Sequence, residues 1–304
     1  MLAGNPLTPE KLALGASLFF DPRLSESHTI SCHSCHLVNM GGVDGRSASI
    51  GHNWQRGGRN APTVLNAVFN TAQFWDGRAA DLQEQAGGPI VNPMEMGTTQ
   101  EHAVEQLKGI PGYVDMFERA FPGEPDPIVY GNIEKAITVF ETTLITPNAP
   151  FDRWLEGDDT ALDATQKAGL RLFMEKGCAT CHNGINVGGG MYAPFGVVQK
   201  PGWEFLPPDD RGRFDVTKTV DEPYVFKVPT LRNIELTAPH FHSGQAWDLR
   251  PAVAVMGVAQ LGEALSDSEI DQVTVFPRAL TGEQPKLALP ILPPSVAATP
   301  RPAP

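Results

Sequence analysis

Along most of this chain, apolar residues recur every three or four positions, the spacing of one helix face, and strand-like alternation is scarce. After Asp126, for example, the residues Ile133, Ile137, Phe140 and Leu144 fall on one side of a predicted helix. The predicted helix starts carry a capping residue or an early proline: Thr8-Pro9, Asp126-Pro127, Asp163 and the capping box Ser266-Asp267-Ser268-Glu269. Alternation typical of a strand is confined to short pieces such as residues 224–226. The pattern predicts a mainly α fold with few short strands.

Three segments interrupt this pattern. Residues 186–208 are rich in Gly and Pro and predict a long loop, and the Pro-Asn-Ala-Pro sequence at residues 147–150 predicts a domain boundary. After Pro285, prolines without periodicity predict either an extended strap or a frayed end. We therefore predict an N-terminal domain at residues 1–147, a C-terminal domain at residues 148–284 and a Pro-rich tail at residues 285–304.

The two predicted domains contain copies of the same segments. The sequence LGASLF at residues 14–19 is echoed by AGLRLF at residues 168–173. Without a gap, residues 62–82 align with residues 229–249, and eight of the 21 positions are identical. Such internal similarity indicates a tandem duplication, in which each half is one structural unit. In this alignment Trp75 and His242 occupy equivalent positions.

The four cysteines of the chain all lie in two copies of the pattern C-x-x-C-H, at residues 32–36 and 178–182. This spacing lets two sulfurs reach the two vinyl groups of a haem while the next residue binds the iron. A thioredoxin-like dithiol, half of a zinc site and a disulfide framework are the alternatives. None of them explains a histidine directly after both second cysteines. The sequence thus predicts two covalent haem c groups, attached through Cys32, Cys35, Cys178 and Cys181 and ligated by His36 and His182.

The composition of the chain indicates which kind of partner it binds and in which cellular compartment it is found. The chain has 304 residues, 41% hydrophobic residues and a formal net charge of -12. This length predicts two domains with their own cores, and the negative charge argues against nucleic acid and favours a small basic electron carrier. No apolar run is long enough to span a membrane, and residues 1–5 show no leader segment. Because c-type haem is attached outside the cytoplasm, we expect a periplasmic chain whose leader has been removed.

The second axial ligand of each iron decides its chemistry, because a strong ligand makes an electron-transfer haem and a labile one makes a reactive haem. His52 lies in the glycine-rich segment SIGHNWQRGGRNAPT, where a removable ligand would be useful. The methionine candidates are Met94, Met96, Met191 and Met256. Residue types and spacing do not choose among these candidates, since a loop histidine is often a surface residue and a methionine is often core.

Specific motifs resolve this choice by resemblance. The sequences FFDPRLS, RNAPTVLNAVFN, FWDGRAADLQEQAGGPIVNPMEM, VPTLRNIELTAPHFHSG and AVMGVAQLG, from Leu12 to about residue 293, closely resemble the bacterial di-haem cytochrome c peroxidases. The resemblance implies two tandem cytochrome c-like domains joined by long loops, with a peroxidatic haem in the first domain and an electron-transfer haem in the second. It implies that His36 and, in the resting oxidised state, His52 ligate the first iron, and that His182 and Met256 ligate the second.

The same resemblance implies roles for further residues. Glu95 matches the acid that moves the proton of peroxide, and Gln85 matches a glutamine that orients peroxide. Trp75 matches the tryptophan between the haems. A calcium ion between the domains would be held by the matching positions Asn60, Thr237 and Pro239. His242 is given no role.

Together these inferences predict an enzyme, a cytochrome c peroxidase that reduces hydrogen peroxide to water with electrons from a small periplasmic cytochrome c or copper protein. The family resemblance also implies a homodimer. Two alternatives remain: a di-haem electron carrier without peroxidase activity, and a di-haem enzyme that oxidises a protein substrate. Members of the latter group carry tyrosine where this chain has Met256 and lack the labile histidine, so both departures point away from it.

Overall fold

The computed structural model describes residues 4–302, and within that range helices dominate. The N-terminal half contains α1 (Pro9–Phe20), α2 (Cys32–Cys35), α3 (Leu82–Val91), α4 (Gln100–Lys108), α5 (Pro111–Ala120) and α6 (Tyr130–Glu141). The C-terminal half contains α7 (Pro150–Leu155), α8 (Ala164–Glu175), α9 (Phe214–Thr217), α10 (Leu249–Met256) and α11 (Asp267–Arg278). Strands β1 (Tyr192–Pro194) and β2 (Val225–Lys227) form an antiparallel pair, the one sheet in the described part of the chain. The predicted mainly α fold is confirmed. No helix among these residues is long and apolar enough to cross a membrane.

Three of the four predicted helix starts are confirmed. The side chains of Thr8, Asp163 and Ser266 accept hydrogen bonds from the first turns of α1, α8 and α11, which satisfies backbone donors that have no partner inside the helix. The prediction at Asp126 is wrong by several residues, because α6 begins only at Tyr130. Val129 is the N-cap residue, and the carboxylate of Asp126 instead forms an ion pair with Lys108 at 2.7 Å.

The strand prediction and the loop prediction also need small corrections. The strand expected at residues 224–226 is observed one residue later, at Val225–Lys227. Its partner Tyr192–Pro194 lies inside the predicted loop at residues 186–208. Strands this short are stabilised by side-chain packing, which the local sequence does not report.

The duplicated segments have the same backbone conformation in both halves. Residues with a positive φ angle occur at matching positions: Asn66 at 61° and Asn233 at 59°, Phe74 at 65° and Phe241 at 69°, Gly77 at 67° and Gly244 at 61°. Positive φ is uncommon outside glycine, so the shared non-glycine positions indicate one inherited fold. Asp81 and Asp248 then cap α3 and α10 respectively. The domain boundaries themselves stay a prediction.

Each half is built on one close helix crossing at a glycine. Helix α1 packs on α6, and a Cβ atom on Gly15 would lie 1.9 Å from the carbonyl oxygen of Ala136. Helix α8 packs on α11, and a Cβ atom on Gly169 would lie 2.3 Å from the carbonyl oxygen of Gln272. Only glycine permits backbones to approach this closely. The two glycines lie at equivalent positions of the echoed segments LGASLF and AGLRLF.

The Pro-rich tail is the extended strap of the two predicted possibilities. Arg23 donates a hydrogen bond to the carbonyl oxygen of Pro293 at 2.8 Å. The hydroxyl of Thr299 donates to the carbonyl oxygen of Gly109, also at 2.8 Å. The tail thus lies against the N-terminal half, and its last two residues are outside the described range.

Candidate haem sites

The first haem motif lines a cavity of about 530 Å³, and most of the other lining residues also belong to the N-terminal half. Cys32 and Cys35 form the short helix α2, and both line this cavity together with His36. The Nδ1 atom of His36 lies 3.3 Å from the carbonyl oxygen of Gly42, which fixes the ring and leaves Nε2 for a metal. Burial lowers the pKa of His36, so the imidazole is neutral, as an iron ligand must be. The residues present therefore fit a covalently attached haem.

The same cavity brings together three of the predicted site residues. Glu95, Gln85 and Trp75 all line it. The Glu95 carboxylate accepts a hydrogen bond from the side-chain amide of Asn92 at 3.0 Å. Burial raises the pKa of Glu95, and the nearby charge of Arg78 and the bond from Asn92 act in the opposite direction. A buried carboxyl whose pKa is raised can both accept and release a proton, which general acid–base chemistry requires.

A second cavity of about 280 Å³ adjoins this site. It shares Phe74, Arg78, Pro89, Asn92 and Glu95 with the lining of the larger cavity. The guanidinium carbon of Arg78 lies 3.5 Å from the centre of the Phe74 ring. The Glu95 carboxylate therefore lies where the two cavities meet.

His52 lies elsewhere in this structure. Among the described residues, the lining of the larger cavity includes Gly51 but not His52. The backbone nitrogen of His52 donates to the carbonyl oxygen of Glu95 at 2.6 Å, and a Cβ atom on Gly97 would lie 2.8 Å from the His52 ring. The ring thus packs beside Gly97 and does not line the larger cavity.

The second haem motif follows helix α8. Cys178 begins a single 3-10 turn that ends at Thr180, and Cys181 and His182 follow it. Burial lowers the pKa of His182 to about 4, so this imidazole is also neutral and able to bind iron. The four cysteine thiols are free of disulfides, which leaves both pairs available for thioether bonds.

Met256, the last residue of α10, packs against an apolar cluster in the C-terminal half. The buried members of this cluster, called the Met256 cluster below, are Phe195, Leu206, Phe226, Phe241, Ala246, Ala252 and Ala259. The other methionine candidates are placed differently: Met94 and Met96 both line the first cavity, Met96 also packs in the N-terminal core, and Met191 precedes β1. Of the four methionines, Met256 alone packs against this cluster.

Trp75 contacts both the first cavity and the apolar cluster around Met256. It lines the first cavity and also packs against the Met256 cluster. Its indole Nε1 donates to the carbonyl oxygen of Asn60 at 2.9 Å, and its ring lies edge-on to His242 with ring centres 6.2 Å apart. Trp75 and His242, equivalent in the repeat, are thus neighbours in space.

The predicted calcium positions lie at the junction of the two halves. Asn60, Thr237 and Pro239 are all buried. The side-chain amide nitrogen of Asn60 donates to the carbonyl oxygen of Arg46 at 2.8 Å, which leaves Oδ1 free to face a cation. Within residues 4–302 no group of three or more His, Cys, Asp or Glu side chains could hold a metal ion, so any site here would use amide and carbonyl oxygens, as calcium accepts.

These features define a c-type cytochrome with two haem sites and a carboxylate beside the first. The family model of the di-haem cytochrome c peroxidases matches residues 9–160. The cytochrome c551 peroxidase of Pseudomonas aeruginosa is 54% identical over 302 residues, which cover 99% of this chain and 87% of the relative. The cytochrome c551 peroxidase of Nitrosomonas europaea is 49% identical over 310 residues, which cover 99% of this chain and 91% of the relative. The chain belongs to the di-haem cytochrome c peroxidase family.

A solved structure agrees with this assignment. The crystal structure of a MauG-like protein associated with microbial copper homeostasis superposes with a TM-score of 0.82 and 27% identity, over 93% of this chain and 92% of that one. The predicted family and the two haem c groups are therefore confirmed. The roles of individual residues stay predictions.

Two contributors to the site were missed by sequence reasoning. Asn92 stands three residues before Glu95 in the motif GPIVNPMEM, and its amide holds the carboxylate. Arg59 follows Gly58 in the glycine-rich His52 segment and forms ion pairs with Asp76 and Asp210. Asn92 could have been found from its closeness to Glu95, but nothing local in the sequence connects Arg59 to Asp210.

Proposed function

We propose that this chain reduces hydrogen peroxide to water, with electrons from a small cytochrome c or copper protein in the periplasm. The observation that carries the proposal is the shared cavity: Glu95 and Gln85 line the same space as Cys32, Cys35 and His36. A pure electron carrier would need neither a buried acid nor open space beside its first haem.

When bound, the two haems supply the iron at which peroxide reacts and the two electrons that its reduction consumes. The chain supplies the proton chemistry. The Glu95 carboxylate takes the proton from the near oxygen of peroxide and returns it to the far oxygen, which then leaves as water. The amide of Asn92, at 3.0 Å from one carboxylate oxygen, holds Glu95 in place for this transfer. The Gln85 side chain orients peroxide by hydrogen bonding.

His52 is proposed as the removable ligand of the first iron. The hairpin that carries it (residues 49–57, called the His52 hairpin below) has two consecutive residues with positive φ, Asn53 at 54° and Trp54 at 61°. Such a conformation costs about 1–3 kcal/mol for a non-glycine residue and persists only when its surroundings impose it. The observed position of His52, beside Gly97, corresponds to the released arrangement. Ligation in the resting oxidised state is the other arrangement.

Trp75 is proposed to couple the two haems, since it contacts both the first cavity and the Met256 cluster. His182 and Met256 are proposed as the ligand pair of the electron-entry haem, because a thioether opposite histidine raises the reduction potential. A calcium ion at Asn60, Thr237 and Pro239 would stabilise the junction of the two halves.

We also propose that the protein is periplasmic and forms a homodimer.

The test is steady-state oxidation of a reduced small cytochrome c on addition of peroxide. A peroxidase turns over, whereas a pure carrier oxidises no more than one equivalent per haem. In the variant His52→Gly, the oxidised protein should turn over without prior reduction. If that variant still requires reductive activation, His52 is not the gating ligand. Chelation of calcium should lower the fraction that becomes active, and unchanged turnover in the chelated protein would remove calcium from the proposal.

A further inference from the structure

The His52 hairpin is fixed at two places. At its outer end, the His52 backbone nitrogen donates to Glu95 and the side-chain amide of Gln55 donates to the carbonyl oxygen of Pro93 at 2.8 Å. Within it, Gly57 donates to the carbonyl oxygen of Ser49 at 2.9 Å. Gly58 follows, and a Cβ atom there would meet no atom within 4 Å. The chain at the base of the hairpin is therefore free to pivot unless the next residue is held.

The next residue, Arg59, is held by two carboxylates. Its Nη1 atom lies 2.5 Å from Asp76. Its Nε and Nη2 atoms donate to the two oxygens of Asp210, each at 2.7 Å, in a bidentate pair. The Arg59 and Asp210 side chains are only 18% and 16% exposed, so solvent screens this pair weakly. Asp210 belongs to the C-terminal half, and thus the base of the hairpin is fixed to the other haem unit.

Asp210 also contacts residues that lead to the Met256 cluster. Its carboxylate lies 3.8 Å from Nε2 of His242. The His242 ring stacks on Phe226 with ring centres 4.1 Å apart, and Phe226 belongs to the Met256 cluster. Beside Arg59, the backbone nitrogen of Asn60 also donates to the carbonyl oxygen of His242 at 2.8 Å. A continuous set of contacts thus runs from the Met256 cluster to the His52 hairpin.

We propose that the Arg59–Asp210 ion pair holds the His52 hairpin in the released arrangement and is the contact through which the C-terminal half keeps His52 away from the first haem. The inference rests on the proposed role of His52 as a removable ligand. Arg59 lines the first cavity, but its guanidinium is paired with Asp76 and Asp210, and Asp210 does not line the cavity. We therefore treat Arg59 and Asp210 as positioning residues. The pair acts by stabilising one of two arrangements of the hairpin, and its loss returns His52 to the iron.

The test uses the haem-loaded, half-reduced protein and reads the ligation of the first haem by electron paramagnetic resonance and absorption. In Asp210→Asn the bidentate charged pair is lost while the shape of the side chain is kept. Because hydrogen bonds to charged groups are strong, we expect the ratio of released to His52-ligated protein to fall about tenfold. Arg59→Lys keeps the positive charge but cannot form the bidentate pair with the carboxylate, and it should shift the ratio in the same direction.

A matched control is Asp152→Asn. Asp152 makes an equivalent bidentate pair with Arg232, at 3.0 and 2.7 Å, away from the hairpin. This variant should lose similar stability without changing the ligation of the first haem. A shift equal to that of Asp210→Asn would mean that general destabilisation, not the hairpin contact, controls the ligand, and would overturn the proposal.

The double variant Asp210→Asn with His52→Gly separates this inference from the function beneath it. If the pair acts through His52, Asp210→Asn has no effect on ligation once His52 is gone. If His52→Gly alone leaves the ligation of the first haem in the oxidised protein unchanged, the ligand assignment itself fails. If His52→Gly opens the haem but Asp210→Asn and Arg59→Lys both leave the ratio as it is in the unmodified protein, the ion pair is not the contact that holds the hairpin.

Discussion

The indole nitrogen of Trp75 donates a hydrogen bond to the backbone carbonyl oxygen of Asn60, at 2.9 Å. Asn60 in turn donates its backbone N–H to His242, the residue equivalent to Trp75 in the other repeat. The two repeat-related aromatic residues are thus connected through one residue, Asn60. Asn60 also carries the side chain proposed to bind calcium, so Trp75, His242 and the proposed calcium position are linked by direct hydrogen bonds.

Replacing Trp75 by Phe removes this hydrogen bond and the larger ring. We expect about 1 kcal/mol less stability from the lost bond. We also expect slower electron transfer from the second haem to the first, because the ring that contacts both the first cavity and the Met256 cluster is smaller. Stopped-flow mixing of the half-reduced protein with peroxide measures that rate. Trp247→Phe, at a side chain that is 62% exposed, is the control. Equal rates in both variants would exclude Trp75 from the electron path.

Glu95→Gln removes the group that moves the proton but keeps a side chain of the same size. General acid–base catalysis contributes about 10²–10⁴-fold, so we expect kcat to fall by at least about a hundredfold. The haem content and the ferric absorption spectrum should be unchanged. Glu105→Gln, at an exposed position of α4, should retain full turnover. Peroxide turnover within a few fold of the unmodified enzyme in Glu95→Gln would assign the proton transfer to another group.

Gly97→Ala tests the observed position of His52. The added Cβ would lie 2.8 Å from the His52 ring, and the residue has φ of 73°. We expect the variant to displace His52 from this place and to lower the released fraction of the half-reduced protein. Gly45→Ala is the matched control, because Gly45 has φ of 68° with no atom near its Cβ. It shares the backbone strain, about 1–2 kcal/mol, without the contact. Equal ligation of the first haem in the two variants would contradict this position.

The buried carboxyl of Glu141 should make the free energy of unfolding depend on pH. This residue ends α6, lines the first cavity and has one carboxylate oxygen without a partner among the described residues. Burial raises its pKa from 4.5 to about 8. Because the pKa of Glu141 is higher in the folded protein than in the unfolded chain, the folded protein binds this proton more tightly. The contribution of Glu141 to the free energy of unfolding is therefore complete below pH 4.5 and is lost as the pH rises toward 8.

Glu141→Gln should therefore flatten this slope and gain stability relative to the unmodified protein at alkaline pH. One pKa unit corresponds to about 1.4 kcal/mol, so the gain should be easily visible in urea unfolding between acidic and alkaline conditions. Glu118→Gln, at an exposed position of α5, should leave the slope unchanged. A steep slope that persists in Glu141→Gln would assign the titration to a different buried group.

The sequence by itself determined the features that depend on neighbours in the chain. The C-x-x-C-H motifs specify haem attachment because the sulfurs and the imidazole must lie within one turn of each other. Thr8, Asp163 and Ser266 specify helix starts because a capping side chain reaches only the next turn. The repeat at residues 62–82 and 229–249 predicted equivalent backbones, and the matching positive φ angles agree with it.

Only the tertiary structure decided which distant residues meet. Helix α6 begins at Tyr130 with Val129 at its N-cap, whereas Asp126 pairs with Lys108 of another helix, so the sequence alone misplaced the start of α6. His52 lies beside Gly97 and not in the cavity because Glu95 binds its backbone. Arg59 and Asp210, 151 positions apart, form a buried pair that no local pattern encodes. The haem motifs consist of consecutive residues, whereas the proposed control of His52 depends on packing between the two halves.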